Sequence, residues 1–337
     1  MILLGLTQRE LQGLAEEMHL PAFVGRQIAE WLYRKGATSW DEMTNLSRAT
    51  REMLAQHHEI GRQAPLVAQQ SADGTAKYLF PTQAGGRVET VFIPDDDRGT
   101  ICVSCQEGCR MNCQFCATGK QGWSGHLTTT DILNQIYSLP RRDRLTNIVF
   151  MGQGEPLDNL DNVLRATEIL MAPYAWAWSP KRITISTVGL RKGLRRLLDE
   201  SPCHIAISMH NPFADERAAM MPAQHSYPLT EMLDLLRRYD WTGQRRLSFE
   251  YIIFGHQNDT RRHANEVVRL LQGLECRVNL IRWHAIPGQE TLHEADTQRM
   301  EAFRDHLNSQ GLRCTIRASR GQDIDAACGL LNTKQNT

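Results

Sequence analysis

Residues 1–60 carry apolar side chains at helical spacing. In the segment 22–35, Ile28, Trp31 and Leu32 share one helical face, and Gly36 follows the last turn. This pattern predicts an N-terminal region built of helices.

Residues 64–94 instead alternate short apolar runs with turn residues. Asp73-Gly74 and Gly85-Gly86 supply the two turn signals. Such an alternation predicts a small antiparallel meander.

From residue 98 onward, short runs typical of strands alternate with amphipathic helical runs. The predicted strands are Thr100–Ser104, Asn147–Met151, Arg182–Ser186, His204–Met209, Leu247–Phe254, Arg277–Trp283 and Arg313–Ala318. The predicted helices are Thr129–Ser138, Leu160–Met171, Leu190–Glu200, Leu229–Tyr239, Arg261–Gln272 and Ala295–Ser309. This alternation predicts an α/β fold with a parallel sheet, either a partial barrel or doubly wound. Ligands of such sheets bind beyond the carboxyl ends of the strands.

These patterns divide the chain into three regions. We predict a helical accessory domain at residues 1–62, a small antiparallel β extension at 63–97, and an α/β core at 98–337. No internal repeat or low-complexity linker interrupts them.

Composition fits a folded chain, because hydrophobic residues make up 41% of the 337 residues. No apolar run is long enough to span a membrane, and the N-terminus lacks the features of a signal peptide. We therefore expect a cytoplasmic protein without membrane association.

A formal net charge of +0 argues against a protein-wide attraction for polyanions. A local basic segment could still bind RNA or form a solvated helix face, and it contains Lys181, Arg182, Arg191, Lys192, Arg195 and Arg196.

The chain contains nine cysteines, which are informative in a protein that is expected in the cytoplasm. Structural disulfides are rare in reducing compartments, so the cysteines need another chemical explanation. Five of them lie close together, namely Cys102, Cys105, Cys109, Cys113 and Cys116. The other four are scattered, at Cys203, Cys276, Cys314 and Cys328.

Three interpretations of the cysteine cluster compete. A zinc site would pair Cys102 and Cys105 with Cys113 and Cys116, but the two pairs are close together for a zinc module, and Cys109 would be left over. Buried structural cysteines would not explain five in one glycine-containing loop. In the third interpretation, the Cys-x3-Cys-x2-Cys run supplies three thiolates to a 4Fe–4S cluster whose fourth iron stays free for a ligand. The spacing favours this last interpretation.

The same run, with Phe115 before its last cysteine, resembles the signature of radical S-adenosylmethionine (SAM) enzymes. Further segments resemble the RNA-methylating branch of that superfamily, the RlmN/Cfr family. These segments are CVSCQEGCRMNCQFCATGKQG, FMGQGEPLDN, ISTVG, AISMH, MMP, VNLI and RGQDIDAACG. The resemblance runs in order from about Ala22 to Leu331. It implies a partial (β/α)6 barrel with a helical accessory domain and a small β meander.

Two cofactors follow from this resemblance, a 4Fe–4S cluster and SAM. Cys109, Cys113 and Cys116 would hold the cluster, whose open iron would bind the methionine end of SAM, and reduction would release a 5′-deoxyadenosyl radical. The implied SAM contacts are Gly154, Glu155, Ser186, Ser208, Met209, His210 and His284. His284 stands where the family commonly has asparagine, and both side chains donate and accept hydrogen bonds. Each contact residue by itself would pass as a turn, capping or structural residue.

Three catalytic residues are also implied. Cys328 would carry the methyl group as S-methylcysteine, and Cys102 would release the product by forming a disulfide with Cys328. Glu89 would accept a proton, although a strand glutamate without that context is usually an exposed surface residue. Cys105 stands where the family usually has serine; we expect it to be inert, although it could compete with Cys102.

The implied reaction is methylation of C2 of adenosine in 23S rRNA and in tRNA. Methylation of C8 of the same rRNA adenosine stays open, because the motifs are shared. An alternative of another class is a non-catalytic iron–sulfur or zinc protein that binds RNA, which predicts that Cys102 and Cys328 lie far apart.

The expected partners are 23S rRNA, tRNA and a reducing electron donor such as flavodoxin or ferredoxin, with the chain acting as a monomer. An adenine that is modified on its ring edge must leave its stack, which favours loops as targets. Arg26, Arg34 and Lys35 of the helical region are candidates for contacts with the RNA backbone, and a plain packing role for these helices is equally compatible with the sequence.

Overall fold

The computed structural model describes residues 1–333 of the chain. Its α-helices are α1 (Gln8–Glu17), α2 (Ala22–Ala29), α3 (Arg48–His57), α4 (Ala117–Gln121), α5 (Thr129–Tyr137), α6 (Leu160–Met171), α7 (Arg191–Glu200), α8 (Ala214–Met220), α9 (Ala223–Ser226), α10 (Leu229–Leu236), α11 (Arg261–Leu271) and α12 (Thr297–Ser309). Its strands are β1 (Val67–Gln70), β2 (Ala76–Pro81), β3 (Arg87–Asp95), β4 (Arg98–Cys102), β5 (Gln106–Gly108), β6 (Trp123–His126), β7 (Asn147–Phe150), β8 (Ile183–Thr187), β9 (His204–Ser208), β10 (Leu247–Ile253), β11 (Arg277–Arg282) and β12 (Cys314–Ile316).

The N-terminal region is helical, as predicted. Thr7 begins α1 with a capping box, in which its side chain accepts from the Glu10 amide and the Glu10 carboxylate accepts from the Thr7 amide. Helix α2 continues as a π-helical turn over Glu30–Lys35. Gly36, with φ of 70°, ends that turn in the left-handed conformation that glycine adopts without strain.

Ten strands form one sheet in the order β1-β2-β3-β4-β7-β8-β9-β10-β11-β12. Strands β1 to β4 pair antiparallel, and from β4 to β12 all neighbours are parallel. The predicted meander is therefore present, and it continues directly into the core sheet through β4. The three domain boundaries remain predictions; the third region was drawn to residue 337, and residues 334–337 lie outside the described part of the chain.

The parallel strands curve into a partial barrel. Arg317 follows β12 and Met151 follows β7, and four strands separate β7 from β12 in the sheet order. Even so, Nη1 of Arg317 lies 3.2 Å from Sδ of Met151. Arg317 also reaches Glu250 of β10 across the interior, at 3.3 Å. The fold class predicted from the sequence is therefore confirmed.

Side chains alternate between the two faces of the parallel strands. On the outer face, Ile148, Ile185 and Ile207 are buried in the main apolar core beneath the helices. The inner face carries small and polar side chains instead, among them Ser186 and Ser208. A barrel interior lined in this way leaves room for a polar ligand near the carboxyl ends of the strands.

Hydrogen bonds dock the N-terminal region on α5 and α6. Thr130 of α5 donates to the carbonyl of Leu4, and Nε of Arg165 in α6 donates to the carbonyl of Gly5 at 2.8 Å. Arg62 donates to the carbonyls of Gly36 and Tyr137. None of the helices within residues 1–333 is long and apolar enough to cross a membrane.

Candidate active site

The cysteine run forms a loop just past the carboxyl end of β4, as expected for a ligand site of this fold. Cys109 follows the short strand β5, and Cys116 precedes α4. The edge of Phe115 lies against the ring of His210, which follows β9, with 4.7 Å between the ring centroids. Nε1 of Trp283, which follows β11, donates to the carbonyl of Phe115 at 3.3 Å. Three separate strand ends thus fix this loop.

The three thiols of the run lie close enough to influence one another's ionisation. The pKa of Cys109 is raised to about 12, mainly by burial, with smaller contributions from Glu155 and Cys116. Burial, Cys116 and Cys109 raise the pKa of Cys113 well above 9, and burial raises that of Cys116 as well. Buried thiols that resist ionisation become thiolates when a metal centre compensates their charge, so their chemistry fits a cluster.

The cysteine run offers three thiolates to a metal centre. Within residues 1–333, no group of three or more His, Cys, Asp or Glu side chains is arranged to hold one metal ion. An iron–sulfur cluster offers each thiolate an iron of its own, so its ligands need not converge on one point. Cys109, Cys113 and Cys116 are the residues that could hold it.

Glu155 lies buried at the end of β7, among backbone amides of two loops. Its carboxylate accepts from the amide of Leu157 at 3.0 Å and from the amide of Val188 at 2.9 Å, and Thr187 donates to it as well. Burial raises the pKa of Glu155 to about 7, although these hydrogen bonds oppose the shift. Glu155 therefore positions the loops after β7 and β8, in addition to any contact with an ammonium group.

Gly154 permits a close backbone approach beside that carboxylate. Its φ is 101°, and a Cβ at this position would lie 2.6 Å from Cβ of Gln106. Any larger residue would clash there and strain the backbone, which explains the glycine physically.

Ser186, Ser208 and Met209 lie at the ends of β8 and β9, where the sequence placed them. His210 follows with φ of 55°, and its Nδ1 accepts from the amide of Ile252 at 3.0 Å. Burial, together with the charge of Arg217, lowers the pKa of His210 to about 3. The imidazole is therefore neutral, and its Nε2 carries the proton as a donor.

Sequence reasoning missed Arg217, whose side chain is completely buried. Its guanidinium donates to the carbonyls of Ser208 at 2.9 Å, Met209 at 3.1 Å and Val188 at 3.3 Å. Arg217 thus fixes the backbone at the ends of two strands that carry expected SAM contacts. The only signal for it was an arginine three residues before the MMP segment.

Cys102, Cys328 and His284 line one cavity of about 330 Å³ at the open side of the barrel. Cys102 ends β4 and is buried, whereas Cys328 is exposed. The pKa of Cys102 is raised to about 12, mainly by burial and in part by the neighbouring Cys328, while Arg317 opposes the shift. The electrostatic influence of Cys328 also reaches Cys116. The thiol of Cys328 is therefore near both Cys102 and Cys116.

His284 is anchored within this cavity by several polar groups. Its Nδ1 lies 3.1 Å from Oε1 of Glu294, its Nε2 lies 2.9 Å from Oγ of Ser319, and the Gln322 amide is close to both nitrogens. The imidazole thus joins the loop after β11 to the segment that leads to Cys328. Its expected contact with SAM stays a prediction.

The segment that carries Cys328 is held at both ends. On one side, the Asp323 carboxylate accepts from Oγ of Ser71 at 2.6 Å, and Oδ2 of Asp73 accepts from the amide of Gly321 at 2.9 Å. On the other side, the Ala117 amide of α4 donates to the carbonyl of Gly329 at 2.8 Å. The β1–β2 turn and the helix after the cysteine loop therefore both position Cys328.

Glu89 lies on β3 and is 1% exposed, so it is not the surface glutamate that its position in a strand would suggest. Its amide donates to Oε1 of Gln153 at 3.0 Å, and its carbonyl accepts from Oγ of Ser104 at 2.6 Å. Nε2 of Gln153 in turn donates to Oε1 of Gln121 at 3.1 Å. This chain of amides links Glu89 to α4.

Cys105 belongs to a different environment from Cys102. It is 2% exposed and packs in the main apolar core beneath the helices. Burial raises its pKa well above 9, with Glu155 and Cys109 adding to the shift. These contacts agree with the expectation that Cys105 is inert.

The basic residues that were candidates for RNA contacts fall into two places. Arg191, Lys192 and Arg195 line a groove of about 420 Å³ between α7 and α10. In the N-terminal region, Arg34 donates to the carbonyl of Pro173, and Lys35 lies over the ring of Trp31 at 3.8 Å. Glu231 and Asp234 line the same groove, and Arg191 pairs with Glu231 there. Arg34 is engaged in packing the helices.

A partial barrel with a three-cysteine loop at its carboxyl edge defines a radical SAM enzyme. The model of the Radical SAM superfamily matches residues 103–271. The model of the ribosomal RNA large subunit methyltransferase N-terminal domain matches residues 1–60. The chain belongs to the RlmN family of radical SAM methyltransferases. Membership implies a 4Fe–4S cluster and SAM as its cofactors.

Similar proteins cover the chain almost completely. A protein of Bacteroides thetaiotaomicron named "Probable dual-specificity RNA methyltransferase RlmN" is 57% identical over 331 residues, which are 98% of this chain and 96% of that protein. The "Dual-specificity RNA methyltransferase RlmN" of Syntrophobacter fumaroxidans is 40% identical, over 95% of this chain and 94% of that one. The crystal structure of a radical SAM methyltransferase from Sphaerobacter thermophilus superposes with a TM-score of 0.93 at 38% identity, and covers 98% of this chain and 99% of that one.

Proposed function

We propose that this enzyme methylates C2 of adenosine in 23S rRNA and in tRNA, with Cys328 as the methyl carrier. The observation that carries the proposal is the shared cavity of Cys102 and Cys328 beside the cysteine loop. Relatives named dual-specificity RNA methyltransferases support the two RNA substrates. A non-catalytic RNA-binding protein would require the two cysteines to lie far apart, which disagrees with this cavity.

Cys109, Cys113 and Cys116 would hold the cluster, and the strand ends of β7 to β9 would hold SAM. Gly154, the backbone fixed by Arg217, and the donor of His210 are supporting features at those strand ends. When bound, the cluster and SAM supply a 5′-deoxyadenosyl radical, which removes a hydrogen atom from a methyl group on sulfur.

Cys328 has the exposure that a methyl carrier needs. Its thiolate first accepts a methyl group from SAM by displacement, so that a carbon–sulfur bond forms while the sulfonium bond breaks. After hydrogen removal, the methylene carbon on Cys328 joins C2 of the adenine. This relay lets a ring carbon that would not attack a sulfonium receive a methyl group.

Release of the product requires a base and a second thiol. Glu89 would take the C2 proton, and the unpaired electron of the adduct would leave to the oxidised iron–sulfur cluster as a one-electron acceptor, so that the pair from the C2–H bond stays on the adenine ring. Cys102 would then attack the sulfur of Cys328, so that a disulfide forms, the bond from sulfur to methylene breaks, and the carbon takes up a proton. A thiol reductant resets the pair.

The remaining partners are proposed from the chemistry of the site. A reducing electron donor such as flavodoxin or ferredoxin would supply the electron for each radical, and the cytoplasm would supply RNA and reductant. The basic groove along α7 would contact the RNA backbone, because Lys and Arg neutralise phosphates. We expect the chain to act as a monomer.

One experiment tests this function. The reconstituted enzyme is incubated without oxygen with 23S rRNA fragments or tRNA, a chemical reductant and methyl-labelled SAM, and the labelled atom is located by mass spectrometry. Label at C2 of adenosine is the expected result. Label at C8 would favour the alternative regiochemistry, and the absence of label from both RNA and Cys328 would overturn the proposal.

A further inference from the structure

A buried lysine lies beside the expected proton acceptor. Nζ of Lys77 lies 3.2 Å from Oε1 of Glu89, and the side chains are 4% and 1% exposed. Lys77 sits on β2 and Glu89 on β3, diagonal to each other in the antiparallel pair, because Lys77 is opposite Val91 and Glu89 is opposite Leu79.

The pair lies on the same face of the sheet as Cys102. Residues directly opposite in neighbouring strands point to the same side, and Lys77 is opposite Val91, which is in turn opposite Cys102. Glu89 is two residues from Val91 and shares that side. The other side of β2 and β3 packs Tyr78 into the main apolar core. Lys77 therefore belongs to the face that carries the expected catalytic residues.

A buried ion pair at this position needs an explanation beyond stability. Removing two charges from water is costly, and apolar replacements are often as stable, so such a pair is weak evidence for a stabilising role. A buried carboxylate that must accept a proton from one position, however, has to be held in a fixed orientation. An ammonium beside it donates a charge-assisted hydrogen bond that fixes one carboxylate oxygen.

We propose that Lys77 is a positioning residue for the base, which holds the Glu89 carboxylate in the orientation that receives the adenine C2 proton. This inference rests on the proposed function. The pathway up to the covalent protein–RNA adduct does not use Glu89, so Lys77 acts after methylation of Cys328. A loss of Lys77 should consequently stop the reaction at the adduct.

The test compares Lys77→Met, Lys77→Arg, Glu89→Gln and the double variant Lys77→Met/Glu89→Gln with the wild type. Each enzyme is reconstituted with its cluster and given RNA, reductant and SAM. Three quantities are measured: methylation of Cys328 by intact mass, covalent protein–RNA adduct on a denaturing gel, and methylated RNA. Thermal unfolding of each variant checks that it is folded.

Lys77→Met is expected to methylate Cys328 as the wild type does, to accumulate the adduct, and to release methylated RNA about a hundredfold more slowly, the lower range for loss of a general base. Lys77→Arg should restore much of the release rate, because it keeps the charge. The double variant should be no slower than Glu89→Gln, since Lys77 acts only through that carboxylate.

Two results would overturn the inference alone. The first is that Lys77→Met releases methylated RNA at the normal rate while Glu89→Gln stalls at the adduct. The second is that the release rate of the double variant falls by a factor equal to the product of the factors of the two single variants. If Lys77→Met does not fold, Lys77→Arg and the double variant, which removes both charges together, decide the matter. A wild-type enzyme that labels neither Cys328 nor RNA would instead overturn the proposed function, and this inference with it.

Discussion

Cys102 and Cys328 line one cavity, although one ends an early strand of the barrel and the other lies near the C-terminus. Arg317 influences both thiols electrostatically, and it is attached to the barrel through Glu250 at 3.3 Å. A disulfide between two cysteines requires their side chains to come close together. The curvature that brings β12 next to β7 is what creates this neighbourhood.

Replacement of a cluster ligand should remove the metal centre. Cys109→Ala is expected to lose most of the bound iron and its visible absorption after reconstitution, because the loop would retain two thiolates. Cys105→Ala is the matched control and should keep its iron, since Cys105 packs in the apolar core. Equal iron loss in both variants would contradict the assignment of ligands.

Release of the product should become faster with rising pH. The pKa of Cys102 is raised to about 12, so only a small fraction of the thiol is ionised at neutral pH. Below that pKa the thiolate fraction rises about tenfold per pH unit, and the thiolate is the attacking species. Single-turnover decay of the adduct between pH 7 and pH 9 measures the dependence; a flat profile would show that thiolate formation does not limit the step.

Arg317→Met should slow the attack of Cys102 on the adduct, because the Arg317 guanidinium lowers the pKa of Cys102. The adduct should persist longer at each pH while methylation of Cys328 continues. Arg320→Met is the control, since Arg320 lines the same cavity and pairs with Asp95 at 3.1 Å. A similar delay in both variants would point to a general effect of charge in the cavity.

The β1–β2 turn should control the order of the segment that carries Cys328. Asp323→Ala removes the acceptor of the Ser71 hydroxyl and is expected to increase hydrogen exchange in residues 321–331 and to slow methylation of Cys328. Asp97→Ala, in the exposed turn between β3 and β4, is the control and should change neither quantity. Unchanged exchange in Asp323→Ala would show that this contact does not anchor the segment.

The neutral state of His210 predicts a loss of stability in acid. Its folded pKa of about 3 lies below the ordinary value of 6.5, so the unfolded chain binds the extra proton. The contribution of the neutral imidazole to the free energy of unfolding is complete above pH 6.5 and decreases as the pH drops from 6.5 toward 3. The decrease between pH 7 and pH 5 is about 2 kcal/mol.

His210→Asn provides the comparison for this stability. Asparagine tolerates the left-handed backbone and can accept from the Ile252 amide, but it does not titrate. Denaturant unfolding at pH 7 and pH 5 should therefore show a smaller decrease for His210→Asn than for the wild type. Equal decreases would mean that other groups control the acid response.

Structural elements with a strong local sequence pattern could be predicted from the sequence. Helix α6 has the predicted bounds Leu160–Met171, because its apolar residues repeat regularly over three turns. The cysteine loop was found from spacing, and its place after β4 follows from the rule for parallel strands. The short helices α4, α8 and α9 were missed because segments of four to seven residues carry too little periodicity.

Contacts between distant parts of the chain could not be predicted. Burial of Lys77 beside Glu89 depends on strand register, and the bond between Asp73 and the Gly321 amide joins a turn to a segment near the other end of the chain. Arg217 was missed, since a single arginine in a short helix is ordinarily a solvated residue. Such contacts depend on the tertiary fold, and no local pattern encodes them.

The most direct test of the account is the structure of the adduct in Cys102→Ala. The variant is given RNA and SAM under anaerobic reduction, the adduct is digested with nuclease and protease, and the linked fragment is sequenced by mass spectrometry. The account predicts a peptide in which Cys328 is joined through one methylene group to C2 of adenosine. Normal turnover without an adduct, or a link through any other cysteine, would contradict it.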